Sequence, residues 1–317
     1  MPIESLNRRN FLRLGAAASA AAMAPRWMYA QAAAVPAMVA QARTAAATTP
    51  IKTTKLFDNL YLLQGVGGNM AVQTGPDGLL IIDSSYITAV PHILEAIAAV
   101  SKDRPDALIN THWHFDHTDG NAGLHAAGFQ IIAHQKTRER LSVPQTVAAL
   151  HTTFPAAPAE ALPVLTFDGS MHAWHNSDSL DLVHFEPAHT DTDIYIHFNN
   201  ADVLHLGDIF FNGVYPFIDE STGGSIGGMI RGAQTALSLA GEKTKIIPGH
   251  GPLGSKADLA RYHDVLASAR DKIAAIKASG ATEQETIAKK PLAETDPTWG
   301  KGFFNGDVFT GLVYRTL

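Results

Sequence analysis

Apolar positions along the chain follow two rhythms. "NLYLLQG" (59–65) and "GNMAVQTGPDGLLIID" (68–83) run or alternate in apolar residues around the turn-forming "GPDG", which predicts strands joined by a hairpin. "TAVPHILEAIAAVSKD" (88–103) then spaces its apolar residues three and four apart, as one face of a helix requires. "ALIN" (107–110) and "FQIIAH" (129–134) read as short strands, the second followed by a short helix through Leu141. "LTF", "SLDLVHFE", "DIYIHF" and "DVLHLGD" predict further strands between residues 165 and 208. A helix is expected over Ile226 to Ala240, then the strand of "KIIPGHG" (245–251). Beyond it Leu259, Tyr262, Leu266, Ala269, Ile273 and Ile276 mark one apolar helix face, and Thr282-x-x-Glu285 matches a capping box. Two halves, each of strands followed by helices, predict an α/β sandwich of two packed sheets with helices on the outer faces.

Two segments fall outside these rhythms. Residues 142–163 carry four prolines and mixed polarity, and a loop of that length in a compact domain is expected to be a lid or a pocket wall. The alanine-, threonine- and glutamine-rich stretch up to residue 50 has no periodic apolar face, so residues 33–50 read as a flexible linker and 51–317 as the folded domain.

Composition narrows the class. With 46% hydrophobic and 17% charged residues the chain is globular rather than disordered. A formal charge of −6, with no basic run beyond the N-terminus, gives no nucleic-acid surface. The absence of cysteine excludes disulfides, thiolate ligands and a cysteine nucleophile. At the N-terminus, "NRRNFLRLG" sets Arg8 and Arg9 before Phe11 and Leu12, and "AAASAAAMA" follows. This resembles a twin-arginine export signal. The apolar stretch is too short and alanine-rich to span a bilayer, so cleavage after Ala30 or Ala32 is expected. The resemblance implies a leader over residues 1–32, the twin-arginine export machinery as a partner, a periplasmic destination and no membrane span in the mature form.

The chemistry concentrates in "HWHFDH" (112–117), directly after a strand. His112 and His114, one residue apart in an extended segment, project to the same side, while Asp116 and His117 follow on a turn and point elsewhere. Imidazole and carboxylate are ligands suited to zinc and similar metals, and two pairs aimed differently suit two adjacent ions better than one. Three imidazoles on one ion would leave the open position that a catalytic zinc needs.

An HxHxDH motif after a strand resembles the signature of the metallo-β-lactamase superfamily, whose fold is an αββα sandwich. Matches to its other metal-binding elements follow in order: "PAHTDTD" with His189, "LHLGDIFF" with Asp208 and "IIPGHG" with His250. The resemblance covers about residues 51–252. It implies His112, His114 and His189 on one Zn2+, Asp116, His117 and His250 on a second, and Asp208 between them as in glyoxalase-II-like members; iron or manganese are other metals the set would take. It further implies a hydrolase with Asp116 and Asp208 in the catalytic machinery, acting on a small molecule with an activated carbonyl: an ester, lactone, amide, β-lactam or thioester. Other readings are a β-lactamase proper, an iron-dependent sulfur oxidoreductase of the same superfamily, and a metal-binding factor without turnover.

Downstream of Asp208, Phe210, Phe211, Asn212, Tyr215 and Phe217 are expected to line the cleft, with Tyr215 or Asn212 as an oxyanion donor. Trp113 and Phe115 are expected beside the ligands. Asp83, ending "LLIID", is a candidate to orient a ligand imidazole. His134, His172, His175 and His205 read as structural, and "GVGGN" (65–69) as a tight turn rather than a phosphate loop.

Overall fold

The computed structural model describes residues 35–317, so the expected leader over residues 1–32 lies outside the described residues. Strands that are apolar at both parities need cover on both faces, and the chain supplies it in four layers. The strands are β1 (Lys52–Lys55), β2 (Leu60–Gln64), β3 (Met70–Gln73), β4 (Leu79–Ile82), β5 (Pro105–Ile109), β6 (Gln130–His134), β7 (Gln145–Val147), β8 (Thr152–Phe154), β9 (Leu165–Phe167), β10 (Ser170–His175), β11 (Asp178–His184), β12 (Ile194–Phe198), β13 (Val203–His205) and β14 (Lys245–Ile247). One sheet has the order β1-β2-β3-β4-β5-β6-β9, the other β10-β11-β12-β13-β14, and β7 pairs only with β8. The helices are α1 (Ala37–Ala46), α2 (Val90–Val100), α3 (Phe115–Thr118), α4 (Asn121–Ala126), α5 (Gln135–Leu141), α6 (Ile226–Leu239), α7 (Lys256–Ala278), α8 (Glu283–Ala288), α9 (Asp296–Trp299) and α10 (Gly306–Arg315).

The alternation within β4 shows how the layers form. Leu80 and Ile82 join Leu180, Leu182, Ile194 and Ile196 in the core between the sheets. Leu79 and Ile81 pack on the other face with Ile93 and Ile97 of α2. On the far side of the second sheet, Leu204 and Ile246 meet Met229 of α6, Leu259 and Leu266 of α7, and Phe309 of α10. The architecture is therefore the expected αββα sandwich. The expected capping box forms, Thr282 with Glu285 at the start of α8, and a second one, Ser255 with Asp258, opens α7. No described helix is long and apolar enough to cross a membrane.

One expectation is overturned. The segment read as a flexible linker contains α1, and the helix is docked rather than free. Val39 and Ala46, seven residues apart and so on one face, are buried. Arg43 forks onto Asp119 with Nε and Nη2 at 2.8 and 2.5 Å from the two carboxylate oxygens, and its guanidinium lies 5.3 Å from the centre of the Phe115 ring. Thr88 Oγ1 donates to the Arg43 carbonyl at 2.6 Å. An alanine-rich helix with two buried positions has no amphipathic signature, and a distant ion pair holds what periodicity does not announce.

Segment 142–163 folds as the β7–β8 hairpin with short helical turns, and contributes a wall to the main cavity rather than a plug over it.

Candidate metal centre

Strand ends at one rim of the sandwich deliver the functional side chains. β4 runs parallel to β5, and β13 parallel to β14. Asp83 follows β4, the 112–117 run follows β5, Asp208 follows β13 and His250 follows β14, while His189 lies in the turn before β12. The single turn of α3 rotates Asp116 and His117 away from His112 and His114. The result is two adjoining clusters: His112, His114, His189 and Asp208 in one, Asp116, His117 and His250 in the other. Asp208 faces both, with Oδ2 at 3.3 Å from His189 Nε2 and 3.5 Å from His250 Nε2, and Oδ1 at 3.1 Å from His117 Nε2. Asp116 Oδ2 lies 3.2 Å from His250 Nε2.

The outer hydrogen bonds of each ring decide which nitrogen is left to coordinate. His117 Nδ1 donates to Asp83 Oδ2 at 2.7 Å, which leaves Nε2 as a lone pair aimed at the Asp208 carboxylate. Thr111 Oγ1 donates to the same Asp83 oxygen at 2.8 Å and so accepts from His112 Nδ1 at 3.0 Å, leaving His112 Nε2 as a lone pair. His189 Nδ1 donates to the Phe217 carbonyl at 2.9 Å, and His114 Nε2 donates to Asp219 Oδ2 at 3.1 Å. Their inner nitrogens, His189 Nε2 and His114 Nδ1, then face each other at 2.8 Å with no proton left to share. His112 Nε2, His117 Nε2 and Asp208 Oδ1 are buried and make no hydrogen bond. Lone pairs converging in a dry site repel one another unless a cation lies among them. The donor set fits a pair of divalent cations: imidazole nitrogen and carboxylate oxygen, with an outer partner for four of the imidazoles.

Electrostatics show the same demand for positive charge. Burial opposes protonation of His117 and His250, yet Asp208 with Asp116 raises His117 well above the ordinary imidazole value and His250 to about 10. With no metal bound these two rings hold protons that a cation would displace. Burial opposes ionisation of Asp208, yet His250, His117, His189 and His112 hold its carboxyl well below the usual range. For Asp116 burial is likewise outweighed, by His117 and His250, and its carboxyl sits at about 2. Burial presses His112 well below the ordinary imidazole value and His189 down to about 4, so both are neutral ligands near neutral pH.

Two glycines make the packing possible. A Cβ on Gly68 would sit 2.1 Å from His117 Cε1, and one on Gly249 would sit 1.9 Å from Asp208 Oδ1. The turn read at "GVGGN" is thus where the backbone passes directly against a ligand ring.

Aromatic rings close the centre. Phe217 stacks on His114 and Phe211 on His250, with centroids 5.7 and 5.1 Å apart, and Trp113 meets His114 edge-on at 4.6 Å. Phe210, expected in the cleft, points the other way onto Tyr262, since neighbouring residues of an extended segment face opposite sides. The two expected oxyanion donors are placed otherwise. The Tyr215 ring borders the cavity, but its hydroxyl pairs with Thr295 Oγ1 at 2.6 Å and its ring stacks on Phe309. The Asn212 amide donates to the Pro252 carbonyl at 2.9 Å, outside the cavity lining. Each polar end is committed to the loop that flanks it, so neither is free to meet a substrate oxygen.

Two further residues join the site with no sequence signal to announce them. Asp219 orients His114, and Tyr86 lines the cavity beside Asp116; neither belongs to a motif, and both arrive on loops. The four histidines read as structural lie outside both clusters: His134 stacks on His184, His172 pairs with Asp181, His175 with Gln73, and His205 accepts from the Gly207 amide.

The family model of the metallo-β-lactamase superfamily matches residues 63–278. The chain belongs to the metallo-β-lactamase superfamily. Members of that superfamily are mostly hydrolytic metalloenzymes. Among solved structures the chain is similar to a metallo-β-lactamase from Pontibacter korlensis, at 15% identity and a TM-score of 0.56, over 68% of this chain and 99% of that one. It is similar to the DIM-1 metallo-β-lactamase at 19% identity and a TM-score of 0.55, over 69% and 98%. The sec-alkylsulfatase Pisa1 from Pseudomonas sp. is similar at 17% identity and a TM-score of 0.63, over 89% of this chain and 52% of that one, so the chain spans about half of that longer protein. At such identities the likeness is one of fold. No curated protein matches the sequence.

Proposed function

We propose that this metallo-β-lactamase superfamily protein is a zinc-dependent hydrolase that opens an ester, lactone, amide, β-lactam or thioester carbonyl, and that it works in the periplasm after twin-arginine export. The observation that carries the reading is the set of unpartnered lone pairs on His112, His114, His117, His189 and Asp208, fixed in direction by Asp83, Thr111, Asp219 and the Phe217 carbonyl. His112, His114 and His189 would hold one zinc, Asp116, His117 and His250 the other, with Asp208 offering one oxygen to each side. Two bound zinc ions would supply an acidified water as nucleophile near neutral pH and polarise the substrate's carbonyl.

The chain's own groups do the rest. Asp116 and His250, each about a quarter exposed, are the ligands most open to the cavity. Asp116 stays ionised, so with the metals bound its carboxylate would accept a hydrogen bond from the water they acidify and would orient it. Phe211, Phe217 and Trp113 keep bulk water from the reacting centre. Burial, then Asp116 and Asp119, raise the Tyr86 hydroxyl far above its ordinary value, so it remains protonated and keeps a proton to donate. It replaces Tyr215 and Asn212 as the donor toward a developing oxyanion.

The test is removal and return of the metal. Chelation should abolish turnover of lactone, lactam and thioester substrates, and zinc should restore it; turnover that survives complete metal removal overturns the reading. Elemental analysis separates zinc from iron or manganese. For export, Arg8→Lys with Arg9→Lys should leave an unprocessed cytoplasmic precursor.

A further inference from the structure

We infer that the substrate is an uncharged ester or lactone carrying a long aliphatic chain, and that helix α1 is the wall that reads the chain; this rests on the hydrolase reading above. The metal centre opens into a cavity of about 730 Å3 whose floor is His114, Asp116, Asp208 and His250. That size is typical of small-molecule sites, roughly 300–1,000 Å3. Its walls come from three separate parts of the chain: Met38 and Ala42 on α1, Leu150 and Phe154 of the hairpin segment, and Phe303 and Phe304 of the loop before α10.

Charge decides what the cavity can take. Among the described residues no lysine or arginine lines it. Arg43 and Arg140 line a smaller neighbouring pocket and are already paired, Arg43 with Asp119 at 2.5 Å and Arg140 with Asp191 at 2.8 Å. A substrate bearing a carboxylate away from its reacting carbonyl would lose water there and meet no cation of the protein, a cost that anionic lactams and peptide-like thioesters would carry. An aliphatic chain meets mainly methyl, methylene and ring surfaces, with Gln41 the one uncharged amide among the lining side chains.

The mouth adds an independent sign. Met38 is 36% exposed and Phe303 is 73% exposed, both at the rim of this cavity. Large apolar side chains grouped at an opening mark a place where an apolar partner enters. The wall to which Met38 belongs is anchored: Val39 is buried beneath α1, and the Arg43–Asp119 fork and the Thr88 hydroxyl hold the helix from two sides. Ala42 and Ala45 are the smallest residues that line the cavity from that helix, so they leave depth that a chain would fill.

The experiment compares p-nitrophenyl acetate, p-nitrophenyl decanoate and the mono-p-nitrophenyl ester of decanedioic acid on the zinc-loaded protein. The expected kcat/KM for the decanoate exceeds that for the acetate by at least about tenfold, and the terminal carboxylate of the third ester lowers it by about tenfold. Ala42→Trp, which fills the depth, and Met38→Asp, a surface change that puts a charge at the mouth, should each shrink the decanoate-to-acetate ratio to about threefold or less. A flat chain-length profile in the unaltered protein, or an equal or better rate with the carboxylate-tipped ester, overturns the inference. A protein that cleaves none of the three esters fails the hydrolase reading instead. Binding then decides the cavity separately, through the neutral fluorophore N-phenyl-1-naphthylamine. Saturable binding weakened about tenfold by Ala42→Trp supports the apolar site, and no saturable binding overturns it.

Discussion

Asp219 Oδ2 accepts a hydrogen bond from His114 Nε2 at 3.1 Å, across 105 positions of the chain. Asp219 is fully buried and is itself held by the Thr222 hydroxyl at 2.7 Å and the Ser221 amide at 3.0 Å. It therefore sets both the tautomer and the orientation of a ligand ring. Asp219→Asn keeps the shape, but its amide can present a donor to a ring nitrogen that must donate. Zinc affinity should fall by about 10–100-fold, read by competition with a chromophoric chelator, while the circular dichroism spectrum is retained. Unchanged affinity would mean that His114 is oriented by something else.

Gly68 tests the packing against His117. In Gly68→Ala the new methyl overlaps the imidazole, so the ring must swing away from Asp83 and from the second cluster. The variant should hold about one metal per chain instead of two and lose at least about a hundredfold in turnover. Elemental analysis of the purified variant gives the answer, and full two-metal occupancy would contradict the placement of the ring.

Helix α1 should depend on its ion pair. The Arg43 and Asp119 side chains are 14% and 6% exposed, so Arg43→Ala leaves a nearly buried carboxylate without its partner, and Asp119 also accepts from the Ile87 amide. A loss of about 3 kcal/mol in unfolding free energy is expected by denaturant titration, together with new proteolytic cleavage between residues 35 and 50. Protease resistance equal to that of the unaltered protein would show that the helix is held without the pair.

His134 predicts a direction for acid sensitivity. Its ring lies flat on His184, with centroids 3.9 Å apart and planes 1° from parallel. Burial, then that neighbouring imidazole, lowers its pKa from 6.5 to about 4. The unfolded chain thus takes up this proton before the folded one does, so its effect on stability is absent above pH 6.5, grows as pH falls, and is complete below about pH 4. His134→Gln should lose less thermal stability than the unaltered protein between pH 6.5 and 4. Parallel melting curves across that window would contradict the assignment.

Much of this centre was legible because its ligands obey local rules. His112 and His114 alternate along an extended segment, and Asp116 and His117 fall on the helical turn that follows, so spacing alone separated the two directions. The layers were equally readable, since β4 is an unbroken apolar run after a turn, as a strand covered on both faces requires, and α2 and α7 repeat their apolar residues every three to four positions. What stayed hidden depends on distant partners. Helix α1 is held by Arg43 reaching Asp119, 76 positions away. Asp219 sits in a loop with no periodicity to mark it. Tyr215 and Asn212 were misassigned because a polar side chain near a ligand says nothing of where its polar atom points, and Thr295 and the Pro252 carbonyl had already claimed them.

The central claim is that Asp208 lies between two cations held by the two imidazole clusters. X-ray absorption on the zinc-loaded protein measures it most directly. The account predicts two zinc ions per chain with a metal–metal vector of about 3.5–4 Å, lost in Asp208→Ala. A single zinc per chain, or two with no such vector in the unaltered protein, would contradict it.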